Sequence, residues 1–129
     1  MTFSEAMTYI QGYQKSGKPV HDLSRIQALL EALGNPQEQL QVVHIAGTNG
    51  KGSVTAFCAG AATAAGFRTG TLTSPFIRHY TDRIQIDGRD IPPEALCRFC
   101  EQVQACPVSQ DCSQFEITFA IALLWFVEQ

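Results

Sequence analysis

Residues 41–53 read Gln-Val-Val-His-Ile-Ala-Gly-Thr-Asn-Gly-Lys-Gly-Ser. An apolar run enters a glycine-rich turn that carries one lysine, and a helical pattern follows. That order is the grammar of a phosphate-binding loop. Without a Cβ at Gly47, Gly50 and Gly52, the backbone can take positive φ and come close to a ligand. The amides of such a turn form an anion nest. A helix beginning near Ser53 would add its unpaired N–H groups and the positive end of its dipole. Lys51 offers a point charge to β- and γ-phosphates, and Ser53 a hydroxyl to phosphate or Mg²⁺. The reading predicts a nucleoside triphosphate held by Gly47, Thr48, Asn49, Gly50, Lys51, Gly52 and Ser53, with Lys51 as the catalytic cation.

The usual string for such loops is not met. Ile45 stands where its first glycine belongs, and Gly52 separates Lys51 from Ser53. The context supports the reading instead. Leu40, Val42, Val43, Ile45 and Ala46 form a near-continuous apolar run, as expected of a buried parallel strand. Beyond the loop, Val54, Phe57, Cys58, Ala61, Ala62 and Ala65 recur at helical spacing, and Gly66 ends the pattern. The competing reading is a glycine-rich turn between strand and helix that holds no ligand.

Composition bounds the partners. The chain has 129 residues, enough for one modest domain, and a formal net charge of −3 with no basic stripe. Nucleic acid is therefore not an expected partner. The first residues lack a basic stretch followed by an apolar core, so no signal peptide is read. The longest apolar run, residues 117–127, is too short to span a bilayer, and no membrane is expected. Five cysteines is an odd number without secretory context. Reduced thiols in a cytoplasm are the expectation. Cys97 and Cys100 form a C-x-x-C that could suggest zinc. They also share a helical pattern with Leu96, Phe99 and Val103, where cysteine acts as a small hydrophobe.

A pass along the chain gives an α/β order. Phe3, Ala6, Met7 and Ile10 predict a short helix, and residues 11–20 a loop. Asp22 can cap a second helix with an inner face of Leu23, Ile26, Leu29, Leu30 and Leu33. Gly34-Asn35-Pro36 ends it. Strand, loop and helix follow, then a second strand over residues 68–73. A helix joining two strands makes them parallel, with a right-handed crossover. Ser74, in Thr73-Ser74-Pro75-Phe76, would then leave the carboxyl edge of the sheet, beside the phosphate loop. Residues 83–87 alternate as a strand, and Asp87-Gly88 marks a turn. Pro92-Pro93-Glu94 opens a helix to about Gln104, and Ser113 starts the last one.

That last helix is apolar nearly all round, which describes a buried helix. The chain offers few obvious neighbours for it, so a piece from the N-terminal side of a larger protein is expected. Glu116 is the only charge within it before its end. Ser113-x-x-Glu116 reads as a capping box. A carboxylate there can also serve a hard cation such as Mg²⁺. The two roles are compatible. Of the histidines, His44 is expected in the core of the first strand, His21 near a helix start, and His79 in the loop after Ser-Pro.

The residues together resemble a known family. Arg25-Ile26-x-x-Leu29-Leu30-x-x-Leu33-Gly34-Asn35-Pro36, His44 through Ser53, Thr73-Ser74-Pro75-Phe76, Arg83-Ile84-x-Ile86-x-Gly88 and Phe115-Glu116 are similar to stretches of the folylpolyglutamate synthases. That family includes a bifunctional form with dihydrofolate synthase activity, and its loop is shared more loosely with the Mur ligases. The resemblance implies an α/β, P-loop, Mur-ligase-type central domain with a parallel sheet and flanking helices, incomplete in this chain. Residues 1–129 would form the N-terminal portion of the ATP-binding domain, without a C-terminal domain. It further implies an ATP-dependent amide ligase that phosphorylates a carboxylate of folate or dihydropteroate. The amine of L-glutamate then attacks the acyl phosphate. ATP and Mg²⁺ would be the cofactors, Ser74 and Glu116 magnesium ligands, and Phe76 and Arg83 residues near the substrate. A cytoplasmic monomer is implied when full length.

The chain also departs from the family. Phe76 stands where many members have histidine, and Asp82 where glutamate is common. Later family segments are missing, namely a glycine-rich strand, a histidine metal ligand, a modified lysine and the C-terminal domain. The isolated chain is therefore expected not to turn over. A Mur-type ligase for another amino-acid acceptor, or a non-catalytic nucleotide-binding fragment, would share the same loop.

Overall fold

The computed structural model describes residues 1–13 and 22–129, so the reading of His21 and most of the 11–20 loop lies outside the described residues. In chain order the elements are α1 (Phe3–Gln11), α2 (Ser24–Ala32), α3 (Lys51–Ala64), β1 (Gly70–Leu72), β2 (Ile84–Ile86), β3 (Arg89–Asp90), α4 (Pro93–Gln104) and α5 (Gln114–Glu128). Short 3-10 turns lie at Pro36–Gln39, Tyr80–Arg83 and Pro107–Asp111. The chain divides into two units. One joins Met1–Leu40 to Pro93–Gln129, and the other is Gln41–Pro92.

The first unit is helical and built around α5. Ile117, Ala120, Ile121 and Ala122 have no exposed surface. α1, α2, α4 and the turn at Pro36–Gln39 pack around them. The expectation that this chain could hardly cover an all-apolar helix is corrected: these elements supply the neighbours. α4 contributes a stripe of Leu96, Phe99, Cys100 and Val103, all buried, at the spacing of one helix face. Cys100 behaves there as the small hydrophobe expected of it. Its ends are tied by Arg98, whose guanidinium grips Glu128 of α5 through bonds of 2.5 and 2.8 Å.

Local chemistry sets the helix ends. Thr2 and Glu5 close a capping box on α1, and Ser113 and Glu116 close one on α5. Asp22 Oδ1 accepts from the Ser24 amide at 2.9 Å and its hydroxyl at 2.6 Å, so it does organise the start of α2. Leu23, expected on the inner face, is 65% exposed instead. Gly34 and Asn35 both take positive φ, 87° and 53°, and break the helix before Pro36.

The second unit departs from expectation. Its sheet has three strands in the order β1-β2-β3, and both pairs are antiparallel. β1 and β2 pair Gly70 with Ile86 and Leu72 with Ile84. Asp87 and Gly88, at φ 51° and 79°, make the two-residue hairpin turn into β3 that the sequence predicted. No parallel sheet forms among the described residues. The run at 40–46 is not a strand, and Val42 and Val43 are 70% and 81% exposed. A strand exists only through pairing. β1 makes its pairing with β2, and no ladder reaches residues 41–46. The right-handed crossover therefore has no pair of parallel strands to join, and His44 is exposed rather than buried.

α3 starts at Lys51, two residues before Ser53, and ends at Gly66 in a Schellman motif. Phe67 N–H donates to Ala62 O and Gly66 N–H to Thr63 O, each at 3.0 Å, with Gly66 at φ 93°. Its expected inner face is bare: no residue of α3 is buried, and Phe57 is 78% exposed.

Candidate functional site

The glycine loop keeps its local geometry without a strand before it. Gly50 sits at φ 78°, ψ 6° as the cap of α3, a left-handed conformation that a side chain would strain. No side chain caps this helix end, so its first amides point outward unclaimed by one. Lys51 is the first helical residue, and its ammonium donates to the Gly47 carbonyl at 2.5 Å, folding back over the loop. Gly52 is different from Gly50. A Cβ built there would meet nothing within 4 Å, so the chain itself does not require glycine at that place. Residues 47–53 are all exposed. The arrangement can receive an anion on backbone amides with a cation at hand.

The segment after β1 is organised by two side chains. Arg83, only 7% exposed, donates from Nε to the Thr73 carbonyl and from Nη2 to Ser74 Oγ, each at 3.3 Å. Its guanidinium also lies 5.3 Å from the centre of the Tyr80 ring. These contacts account for its burial without a substrate, and they orient the exposed Ser74 hydroxyl. The parallel sheet that was to place Ser74 beside the loop is absent. Ser74 shares a unit with the loop, and its described hydrogen bond goes to Arg83. Phe76 is half exposed and meets Tyr80 edge-on at 6.3 Å.

Asp82 holds the rest of this segment. Its carboxylate accepts from the amides of Ile77, Arg78 and His79 at 2.7–3.2 Å. Desolvation raises its pKa, but the three amide bonds outweigh that and leave the carboxyl below its ordinary value. The stabilisation is therefore complete above the unfolded value near pH 4 and is lost as pH falls through the lower folded value. Asp82→Ala should lower stability by about 1–2 kcal/mol. Amide hydrogen exchange at residues 77–79 should rise in the variant, and in the wild type on acidification. Unchanged protection would show that the clasp is not formed in solution.

Glu116 belongs to the helical unit and is 6% exposed. Its Oε1 accepts from the Ser113 amide at 2.9 Å and faces Arg25 Nη2 at 3.1 Å. Its Oε2 is buried and has no hydrogen-bond partner. A buried carboxylate oxygen left bare is costly unless something binds it. The donor is of the hard, anionic kind that Mg²⁺ accepts, so the residue fits the ion. Cys112 lies nearby with its thiol pushed up to about 11 by burial, reinforced by the charge of Glu116. It stays a thiol and is not a competing ligand. Among the described residues no group of three or more His, Cys, Asp or Glu side chains could hold a metal. A cation here would need hydroxyl, phosphate or water oxygens to complete its shell. None of the described helices is long and apolar enough to cross a membrane.

Arg25 and Asp82 carry this geometry, and the sequence reading gave neither a role. The available signal for Arg25 was a cation one residue before the buried Ile26. For Asp82 it was an acid just after a turn with several unpaired amides.

Comparison with known proteins places the chain in a class. No family model matches it. Its fold superposes on a solved "FPGS-AMPPCP-folate complex" with a TM-score of 0.89 and 36% identity, covering 99% of this chain and 33% of that one. The folylpolyglutamate synthase of Lacticaseibacillus casei is 38% identical over 135 residues, covering 100% of this chain and 31% of that protein. The dihydrofolate synthase/folylpolyglutamate synthase of Bacillus subtilis is 35% identical, covering 98% and 30%. The chain thus has the fold of one part of a folylpolyglutamate synthase. It is homologous to the folylpolyglutamate and dihydrofolate synthases over nearly its whole length, and it spans about a third of theirs.

Proposed function

We propose that this chain carries the nucleotide-phosphate loop and a metal-binding carboxylate of an ATP-dependent ligase that joins L-glutamate to folate or dihydropteroate. The observation that carries the reading is the homology along the whole chain, which includes the loop and the Phe115-Glu116 pair. The open end of α3 and the bare Oε2 of Glu116 support it. In this reading the amides of residues 47–53 hold phosphate oxygens and Lys51 neutralises the β- and γ-phosphates. Ser74 and Glu116 are oxygen donors to Mg²⁺, which when bound offsets phosphate charge during transfer. Arg83 keeps Ser74 oriented, and Phe76 lies at the rim where substrate would approach. Phosphoryl transfer asks a protein mainly for positioning and charge, and these residues supply both.

The test separates binding from turnover. The folded chain should retain labelled ATP with Mg²⁺, and Lys51→Ala should weaken that retention at least about tenfold, 1.4 kcal/mol. The 129-residue chain should release no phosphate when folate and glutamate are added. Failure of the folded wild-type chain to retain ATP would remove the reading. Substrate-dependent phosphate release would place the full catalytic set within these residues.

A further inference from the structure

The Glu116 carboxylate is asymmetric. Both donors that reach it, the Ser113 amide at 2.9 Å and Arg25 Nη2 at 3.1 Å, go to Oε1. Oε2 has neither. A carboxylate can exchange its two oxygens by a half-turn about its last torsion, which is a broad two-fold rotor. The helix cap alone would restrain that turn with one bond. Arg25 adds a second, from a different helix, and fixes which oxygen is left open.

Arg25 is itself held. It lies in the first turn of α2, and its carbonyl oxygen faces the Cys112 thiol, which donates to it at 3.9 Å. α2 also packs on both α5 and the turn at Pro107–Asp111. Its side chain is 37% exposed while that of Glu116 is 8% exposed. The cation thus reaches in from a wetter position to a nearly dry carboxylate.

We propose that Arg25 is a positioning residue for metal binding: it saturates Oε1 of Glu116 so that Oε2 is presented to a divalent cation. This rests on the reading of Glu116 as a metal ligand. The role is that of a second-shell group, whose loss typically reduces metal affinity about 10- to 100-fold. Simple charge repulsion makes the opposite prediction, because removing a cation near the site should tighten metal binding. The sign of the effect therefore decides between them.

The experiment is a Mn²⁺ titration of the whole chain, followed by electron paramagnetic resonance with ATP present, and with circular dichroism confirming the fold. Arg25→Met should weaken Mn²⁺ binding about tenfold or more. Arg25→Lys, which keeps the charge but loses the planar fork, should fall between wild type and Arg25→Met. Glu116→Gln should abolish the site, and Arg25→Met/Glu116→Gln should bind no worse than Glu116→Gln alone, since one residue acts through the other. Unchanged or tighter binding in Arg25→Met overturns the proposal while leaving Glu116 as a ligand. Additive losses in the double variant overturn it too. Wild-type affinity in Glu116→Gln, or no Mn²⁺ binding by the wild type, removes the ligand reading itself and the proposal with it. If Arg25→Met does not fold, Arg25→Lys and the double variant carry the decision by the same comparison.

Discussion

Ile121→Ala should lower the stability of the chain by about 2–5 kcal/mol, whereas Phe57→Ala should change it by less than about 0.5 kcal/mol. Ile121 has no exposed surface and sits midway along α5, with helices of the same unit around it. Truncating it removes buried methylenes and leaves a cavity that close-packed neighbours fill poorly. A domain of this size has only about 5–15 kcal/mol in total. Phe57 is a larger hydrophobe, and its sequence pattern reads as core, yet it is 78% exposed. Its loss removes little buried surface, and alanine is the better helix former. Urea denaturation followed by circular dichroism measures both. The single tryptophan, Trp125, is buried in α5 and reports the helical unit separately by fluorescence. A destabilisation by Phe57→Ala matching that of Ile121→Ala would mean that α3 buries its apolar face in solution.

The second large effect is a pair of opposite signs at one residue. Gly52→Ala should raise the melting temperature and at the same time weaken ATP binding at least about tenfold. Gly52 lies inside α3, just after Lys51, where glycine is about 1 kcal/mol worse than alanine. The added Cβ meets nothing within 4 Å, so the fold gains without strain. If the loop closes on phosphates, however, that empty space is where the ligand lies. Gly50→Ala should behave differently. Its φ of 78° penalises any side chain, so stability itself should fall by about 1–2 kcal/mol. Thermal melts with and without Mg-ATP distinguish the cases. A Gly52→Ala chain that gains stability and keeps its ATP affinity would show that the loop does not approach a nucleotide closely.

Signals that act over a few residues were legible in the sequence. The capping boxes at Thr2 and Ser113, the turn at Asp87-Gly88 and the stop at Gly66 each depend on neighbours a turn away, and each is present. The apolar circumference of α5 correctly announced a buried helix. What failed depended on pairing at a distance. Periodicity says that residues 40–46 suit a parallel strand but cannot supply the strand beside them. The same holds for α3, whose apolar stripe says what it could cover and not what faces it. The candidate site divides similarly. The loop is local and keeps the left-handed Gly50 and the advanced Lys51. The Arg25–Glu116 and Arg83–Ser74 contacts join residues far apart in sequence or on different elements, so only the fold reveals them.

The helical unit is discontinuous: Met1–Leu40 and Pro93–Gln129 build it, and residues 41–92 intervene. Tyr9 meets Ser109, and the Gln114 side chain meets the Ile10 carbonyl, a hundred or more residues apart. During synthesis the two early helices must wait, without a core, until the last helix has left the ribosome. The intervening hairpin of β2 and β3 needs only its own few residues. The order of acquisition is thus opposite to the order of stability: the small sheet forms first, and the larger core closes last.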